Sequence, residues 1–298
     1  ALTAGLLALA ALAPAALAAR AANDTPIIPP APQPAKRPPP AQPAATPAAA
    51  TPLPPRVSPQ AAEAERLRRI NAATSWGYQL NGAKLDELAA SPYALLVIDA
   101  TTGLASGKRF TRAEVERLKR KPDGSRRLVV SYLSIGEAED YRPEYFTAEY
   151  MEEDAPDWLM HENKDWKGNR IVNVCADGWQ QTMLGDARGR SVYDSIEPSP
   201  LYRLIELGFD GVYLDRVDVY EEIVKQCPDA ERKMVDFVVR LAAHARKADP
   251  HFLVIQQNAE DLLKHDRLIK AIDGMGKESL FFGWGGGDGS NVSRTNSD

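Results

Sequence analysis

Residues Gly208-Phe209-Asp210-Gly211-Val212-Tyr213-Leu214-Asp215 carry the decision about the fold. A turn leads into a short apolar run, and the run stops at a carboxylate. The stretch Phe252 to Gln256, running on through Gln257-Asn258-Ala259 to Glu260, repeats the arrangement. A helix-like segment follows each run, and the two acids lie 45 residues apart. A parallel α/β barrel places acids in this way, on the rim where its strands end and its chemistry happens. Two carboxylates on one rim can serve as nucleophile and proton donor for cutting a glycosidic bond.

Outward from that motif, strand and helix signals alternate. The strand candidates are Trp76 to Leu80, Ala94 to Asp99, Arg127 to Ile135, Arg170 to Val174, Gly211 to Asp215, Phe252 to Gln256 and Ile272 to Gly276. Several are continuous apolar runs, as expected of parallel strands buried on both faces. Helical spacing marks Ala61 to Ala73, Thr111 to Lys119, Pro200 to Leu207, Asp229 to Ala248 and Leu262 to Ala271. Thr111 and Glu114 stand in capping-box positions. Repeated strand–helix–strand units imply right-handed crossovers and a parallel sheet. The fold expected is therefore α/β, a (β/α)8 TIM-type barrel spanning 61–298. Seven strands leave it one unit short, with the eighth βα unit missing after the loop Gly283 to Ser290 and the edges of strands one and seven exposed. No Gly-rich turn follows Gln79, which disfavours a doubly wound dinucleotide fold.

The rest of the 298-residue chain is of different composition. Residues 1–22 are almost all Ala and Leu and end in Ala16-Leu17-Ala18, a small-x-small pattern. They read as part of a signal peptide, with an uncleaved anchor as the competing reading. The segment is too short and Ala-rich for a stable membrane span. Residues 23–60 carry a proline every two or three positions and are expected to be an extended, solvated linker. Export to the periplasm, cell envelope or medium follows. Two cysteines, Cys175 and Cys227, fit an oxidising compartment; they either form a disulfide or stay as two buried thiols. Four scattered histidines and two cysteines offer no metal-ligand spacing, so no metal or other cofactor is expected.

Net charge is −5. Residues 1–60 contribute +3, from Arg20, Lys36, Arg37 and Arg56 against Asp24, so the remainder carries −8. That balance argues against a nucleic-acid ligand, whose phosphates require Lys and Arg. It suits a neutral or cationic one. Within the acidic part, Asp99, Glu137, Asp215, Glu260 and Glu278 all sit at predicted strand ends. A lone acid there is often a helix cap. Five on one rim repel one another, and a function should offset that cost. Tyr78, Tyr132, Tyr141 and Trp284 fall near the same ends and could stack on sugar rings or hydrogen-bond them.

Three segments taken together are more specific: Tyr132-Leu133-Ser134-Ile135-Gly136-Glu137-Ala138-Glu139, then Gly208 to Asp215, then Asn258-Ala259-Glu260. From about Trp76 to Trp284 the chain resembles glycoside hydrolase family 114, the endo-α-1,4-polygalactosaminidases and their bacterial relatives. The resemblance implies a (β/α)8 barrel that cuts α-1,4-linked galactosamine polymers, without a metal and with retention. It implies Asp215 as nucleophile and Glu260 as general acid/base, and puts Asp99, Glu137 and Glu278 among the substrate-binding groups. Glu260 would then need a raised pKa, and the two carboxyls should lie about 5–5.5 Å apart. The partner expected is an amino-sugar polysaccharide, cationic where its amines are free. The competing class is a non-catalytic barrel that binds an envelope polysaccharide. A nucleotide-dependent ligase lacks its phosphate loop.

Overall fold

The computed structural model describes residues 57–103, 108–142, 155–193 and 196–278. The expected leader and nearly all of the expected linker, residues 1–56, and the loop bearing Trp284 lie outside these residues. Helix α1, Pro59–Asn71, opens the described chain, two residues ahead of the expected boundary, because Ser58 caps it and Pro59 suits a first helical turn.

Six strands form one parallel sheet. They are β1 (Trp76–Gln79), β2 (Leu95–Ile98), β3 (Leu128–Ser134), β7 (Gly211–Asp215), β8 (Leu253–Gln257) and β9 (Gly274–Gly276), hydrogen-bonded in that order. The expected α/β barrel architecture is present as a curled parallel sheet with helices on its outer face. The four central strands, β2, β3, β7 and β8, are buried on both faces, and the edge strands β1 and β9 are partly exposed. Leu95, Val97, Leu128, Val130, Tyr213, Leu253 and Ile255 pack inward with Ile70 of α1 and Ala73 just beyond it. Their strand neighbours Leu96, Ile98, Val129, Val212, Leu214 and Val254 belong to the outer core against the helices. The alternation follows from the two-residue period of a strand.

The covering helices include α2 (Leu85–Ala90), α3 (Arg112–Leu118), α5 (Pro200–Leu207) and α6 (Ala230–Ala248). Thr111 and Glu114 close the expected capping box at the start of α3. Helix α6 buries Met234, Val235, Phe237, Val238, Leu241, Ala242 and Ala245, a helical stripe facing the sheet. Each large side chain so buried contributes about 1.5–3 kcal/mol.

Two expected elements differ. Arg170 to Val174 is not a barrel strand. Its core, β6 (Asn169–Val172), pairs antiparallel with both β4 (Glu137–Glu139) and β5 (Leu159–Glu162). This three-stranded sheet is an excursion between β3 and α4 (Asp177–Leu184), and β3 pairs directly with β7 instead. An apolar pair such as Ile171-Val172 does not encode whether its partners run parallel or antiparallel. Leu262 to Ala271 likewise splits into a 3₁₀ turn at Glu260–Lys264 and the one-turn α7 (Asp266–Ile269).

Cys175 and Cys227 are joined in a disulfide, with Cα atoms 6.6 Å apart across 52 residues of chain. The bond ties the end of the excursion to the loop before α6. Among the described residues no helix is long and apolar enough to cross a membrane, and no group of three or more His, Cys, Asp or Glu could hold a metal ion.

Candidate active site

Three neighbouring strands end in polar residues on their inward face. Tyr132 continues the inward series Leu128, Val130 in β3. Asp215 follows Tyr213 in β7, and Gln257 follows Ile255 in β8. The parallel register puts Gln257 level with Asp215 and Tyr132 one inward position earlier, opposite Tyr213, with Ser134 opposite Asp215 and Leu214 opposite Gln256. The Tyr132 hydroxyl donates to Asp215 Oδ2 at 2.7 Å, and Gln257 Nε2 donates to Oδ1 at 2.5 Å. The Arg216 amide adds a third donor to Oδ1 at 2.8 Å.

These donors stabilise the carboxylate, but burial outweighs them. Burial pushes Asp215 up to about 6, against the pull of Tyr132 and the Arg216 amide, and the nearby charge of Glu278 adds to the rise. The Arg216 guanidinium is engaged elsewhere, by Glu137 at 2.7 Å, by Asp218 at 3.6 Å and by Glu222. Burial, followed by the charge of Asp215, also pushes the phenol of Tyr78 well up; Tyr213 is pushed up by burial and then by Glu278 and Asp215. Tyr78 packs edge-on against Tyr213 with ring centroids 5.7 Å apart. The structure thus gathers Tyr78, Tyr132, Tyr213, Asp215, Gln257 and Glu278. A side chain at Gly276 would put its Cβ 2.2 Å from the Tyr213 hydroxyl, so only glycine lets β9 approach so closely.

Backbone strain sits at the same rim. Arg216, Asn258 and Ala259 are the non-glycine residues with left-handed φ among those described, at 58°, 53° and 56°. They immediately follow β7 and β8. Such conformations cost on the order of 1–3 kcal/mol each and gather at working sites. One consequence is the placement of Asn258, which donates from Nδ2 to Glu278 Oε2 at 2.9 Å and accepts the Glu278 amide at 3.0 Å. The pair holds the Glu278 carboxylate in one orientation.

Glu260 behaves otherwise than expected. The Lys277 ammonium lies 2.7 Å from its Oε1, and that hydrogen bond holds the carboxyl below its ordinary value. Its side chain is nearly half exposed. A group kept ionised in this way is poorly suited to donate a proton. Two further expected site residues, Asp99 and Glu137, are enclosed by protein partners. Asp99 is fully buried and accepts the Thr101 amide and hydroxyl at 2.8 and 2.9 Å on one oxygen, and Arg142 at 2.6 Å on the other. Glu137 is buried too, with Asn163 at 2.6 Å, Asn169 at 2.8 Å and the Arg216 guanidinium around its oxygens. Tyr141 joins the Asp99 network through Glu139, which also pairs with Arg142; burial raises Glu139 despite these partners.

A cavity of about 660 Å³ opens along the ends of the strands. Its wall comes from the turns after β7, β8 and β9 and from the β5–β6 hairpin, and includes Arg216, Asn258, Glu260, Lys277 and Glu278. Seven carboxylates line it against two cations. Trp166 stands on its rim, a residue not singled out in the sequence because it lies in the polar run Asn163-Lys164-Asp165-Trp166-Lys167-Gly168. Its signal was there: a lone indole among charges between two strand candidates.

The model of glycoside-hydrolase family GH114 matches residues 57–282. The uncharacterized protein MJ1477 of Methanocaldococcus jannaschii is 33% identical over 231 residues, which cover 74% of this chain and 61% of that protein. An uncharacterized protein of Thermotoga maritima is 33% identical over 215 residues, covering 70% and 60%. The chain therefore spans about three fifths of the length of these relatives. The glycoside hydrolase domain of PelA from Pseudomonas aeruginosa superimposes with a TM-score of 0.52 at 18% identity, over 74% of each chain, a likeness of fold.

Proposed function

From the premise that the chain belongs to glycoside hydrolase family GH114, we propose that it is a glycosidase that hydrolyses an amino-sugar polysaccharide by a two-carboxylate mechanism. One observation carries the reading: a partly buried, desolvated aspartate at a strand end, with no cation bonded to it among the described residues, within electrostatic reach of a second carboxylate on the same rim.

Asp215 is the nucleophile. With a pKa of about 6 it is ionised at neutral pH, yet it is incompletely solvated and aimed by two donors. The proton donor is Glu278 in place of Glu260. Glu278 acts on Asp215, Tyr78 and Tyr213 and is oriented by Asn258, whereas Glu260 is neutralised by Lys277. In the first step Asp215 attacks the anomeric carbon while Glu278 protonates the leaving oxygen. Water then resolves the glycosyl–enzyme, with Glu278 as base. The excess of carboxylates around the cavity favours a polymer with free ammonium groups, such as α-1,4-linked galactosamine. The disulfide, together with the Ala/Leu-rich leader, supports export to the periplasm or beyond.

The test is incubation with galactosamine-containing and other amino-sugar polymers, reading reducing ends and product masses. Wild-type protein should release oligosaccharides. Glu278→Gln should lose about 10²–10⁴ in rate on the polymer, while keeping activity on an aryl glycoside whose leaving group needs no proton. Unchanged turnover of the polymer by that variant would remove Glu278 from the mechanism. Glycan binding by the wild type with no reducing ends released from any polymer would favour a binding barrel.

A further inference from the structure

The hairpin joining β5 to β6 presents Trp166 to solvent at 60% exposure, more than any other tryptophan among the described residues. An indole left in water forgoes the burial that usually places it inside, and exposed aromatics on a cavity rim mark ligand contacts. This hairpin is firmly built. The Asn163 amide donates to the Asn169 carbonyl at 2.7 Å and the Asn169 amide to the Trp166 carbonyl at 3.1 Å. Asn163 Oδ1 accepts the Asp165 amide at 2.9 Å, and Glu162 accepts the Gly168 amide at 2.8 Å. Gly168 adopts φ +90° against the Asp140 carboxylate, where a side chain would not fit.

The base of the hairpin is locked to the catalytic rim. Buried Glu137 gathers Asn163 and Asn169 from the two sides of the hairpin and Arg216 from the turn after Asp215. Gly136 permits this, because a Cβ there would lie 2.2 Å from the Arg216 carbonyl oxygen. Glu137 thereby fixes where Trp166 stands relative to Arg216. The cavity they share has a volume in the range, about 300–1,000 Å³, that holds ligands larger than one sugar ring.

We propose that Trp166 is the stacking platform of a sugar-binding subsite set apart from the scissile bond, gripping a further pyranose ring of the polymer and making the protein prefer longer chains. The identity of the ligand rests on the glycosidase reading; the existence of the subsite does not. Flat indole faces bind the apolar faces of sugar rings, and acids beside Trp166 on the wall, Asp165 and Asp218 among them, suit ammonium substituents.

The probe is a ladder of α-1,4-linked galactosamine oligosaccharides, disaccharide to octasaccharide, with N-acetylated counterparts. Their binding is followed by tryptophan fluorescence and iodide quenching, and their hydrolysis in parallel. In wild-type protein the longer oligosaccharides should shield one indole from iodide, and Trp166→Phe should abolish that signal. Trp166→Ala should raise KM or Kd for the octasaccharide about tenfold, leave kcat within about twofold, and leave the disaccharide unaffected. Trp166→Phe should restore most of the affinity. Equal affinity of wild type and Trp166→Ala for every chain length overturns the proposal, as does failure of every oligosaccharide to bind wild type. Trp166-dependent binding with no hydrolysis by wild type leaves the subsite standing and removes the glycosidase reading.

Discussion

An aspartate stands at each end of strand β7, Asp210 buried and Asp215 partly buried, and the two acids are held in opposite ways. Asp210, just before the strand, meets cations: Arg69 of α1 pairs with it, and Lys119 lies 3.5 Å away. Its second oxygen accepts the Val129 amide at 3.0 Å, fixing β3 beside β7. Asp215, five residues on, receives only a phenol, an amide side chain and a backbone amide among the described residues. Asp273, before β9, repeats the lower arrangement, with Arg66 at 2.9 Å, Arg246 at 2.7 Å and the Val254 amide at 2.8 Å. A buried carboxylate with cation partners binds one element to another. One with neutral donors alone keeps a raised pKa and unspent reactivity. Barrel folds divide their ends in this way, stability below and chemistry above.

Exchanging either acid for its amide separates the two roles. Asp215→Asn should lower kcat/KM on the polymer by about 10⁴, the scale on which loss of one reacting group is felt; a loss under tenfold would return Asp215 to the structural class. Asp210→Asn should leave kcat nearly unchanged and destabilise the fold by roughly 3–5 kcal/mol, because it strands cations in a low-dielectric site. Urea unfolding measures this, and a variant as stable as wild type would break the contrast.

The same Asp215→Asn change should make the protein more stable, in a pH-dependent way. An acid raised from 3.8 to about 6 on folding binds more protons folded than unfolded between those values. Its unfavourable contribution is absent below pH 4, grows as pH rises through that window, and is complete above about pH 6.5. At two pKa units it reaches about 3 kcal/mol. Thermal melts at pH 8 should therefore show the variant several degrees above wild type, and melts at pH 4 should coincide. Gln257 can accommodate the amide, because its buried Oε1 has no partner in the native arrangement and could accept the new N–H after a flip. Equal gains at both pH values would mean that charge is not the cause.

Smaller still is the effect expected of Tyr132→Phe. The phenol stabilises the ionised form of Asp215, so its removal should move the ascending limb of the kcat/KM–pH profile upward from about 6. The loss should be severalfold at pH 6 and less at pH 8. A limb that stays in place would assign the ionisation to another group.

Much of this was open to a reader of the sequence. Six of the seven expected strands are in the parallel sheet, because continuous apolar runs such as Leu95-Leu96-Val97-Ile98 are what burial on both faces demands. Asp215 was legible for the same reason, as the stop at the end of such a run. What the order of residues does not carry is pairing over distance. Nothing near Asp99 announces Arg142, 43 residues on, and nothing near Glu137 announces Asn163, Asn169 and Arg216. Those partners tie both carboxylates to distant parts of the chain. The excursion between β3 and α4 hid Trp166 likewise, since its strands are short and its turn is polar.

Glu260 gives the smallest expected effect and the sharpest test. Both acids follow strands of one sheet, but Asp215 is the last residue of its strand and inherits the inward face. Glu260 lies three residues beyond β8, after the left-handed pair Asn258 and Ala259 has turned the chain. The turn delivers its carboxylate to solvent and to Lys277, a partly exposed pair worth about 0–1 kcal/mol. Glu260→Gln should thus change kcat/KM less than about threefold and leave the melting temperature within about two degrees of wild type. Raising the salt should shrink even that difference, since screening weakens an exposed pair. A hundredfold loss would show that the Lys277 contact is broken when substrate binds, that Glu260 then swings inward, and that the proton donor is the acid after β8 rather than the acid after β9.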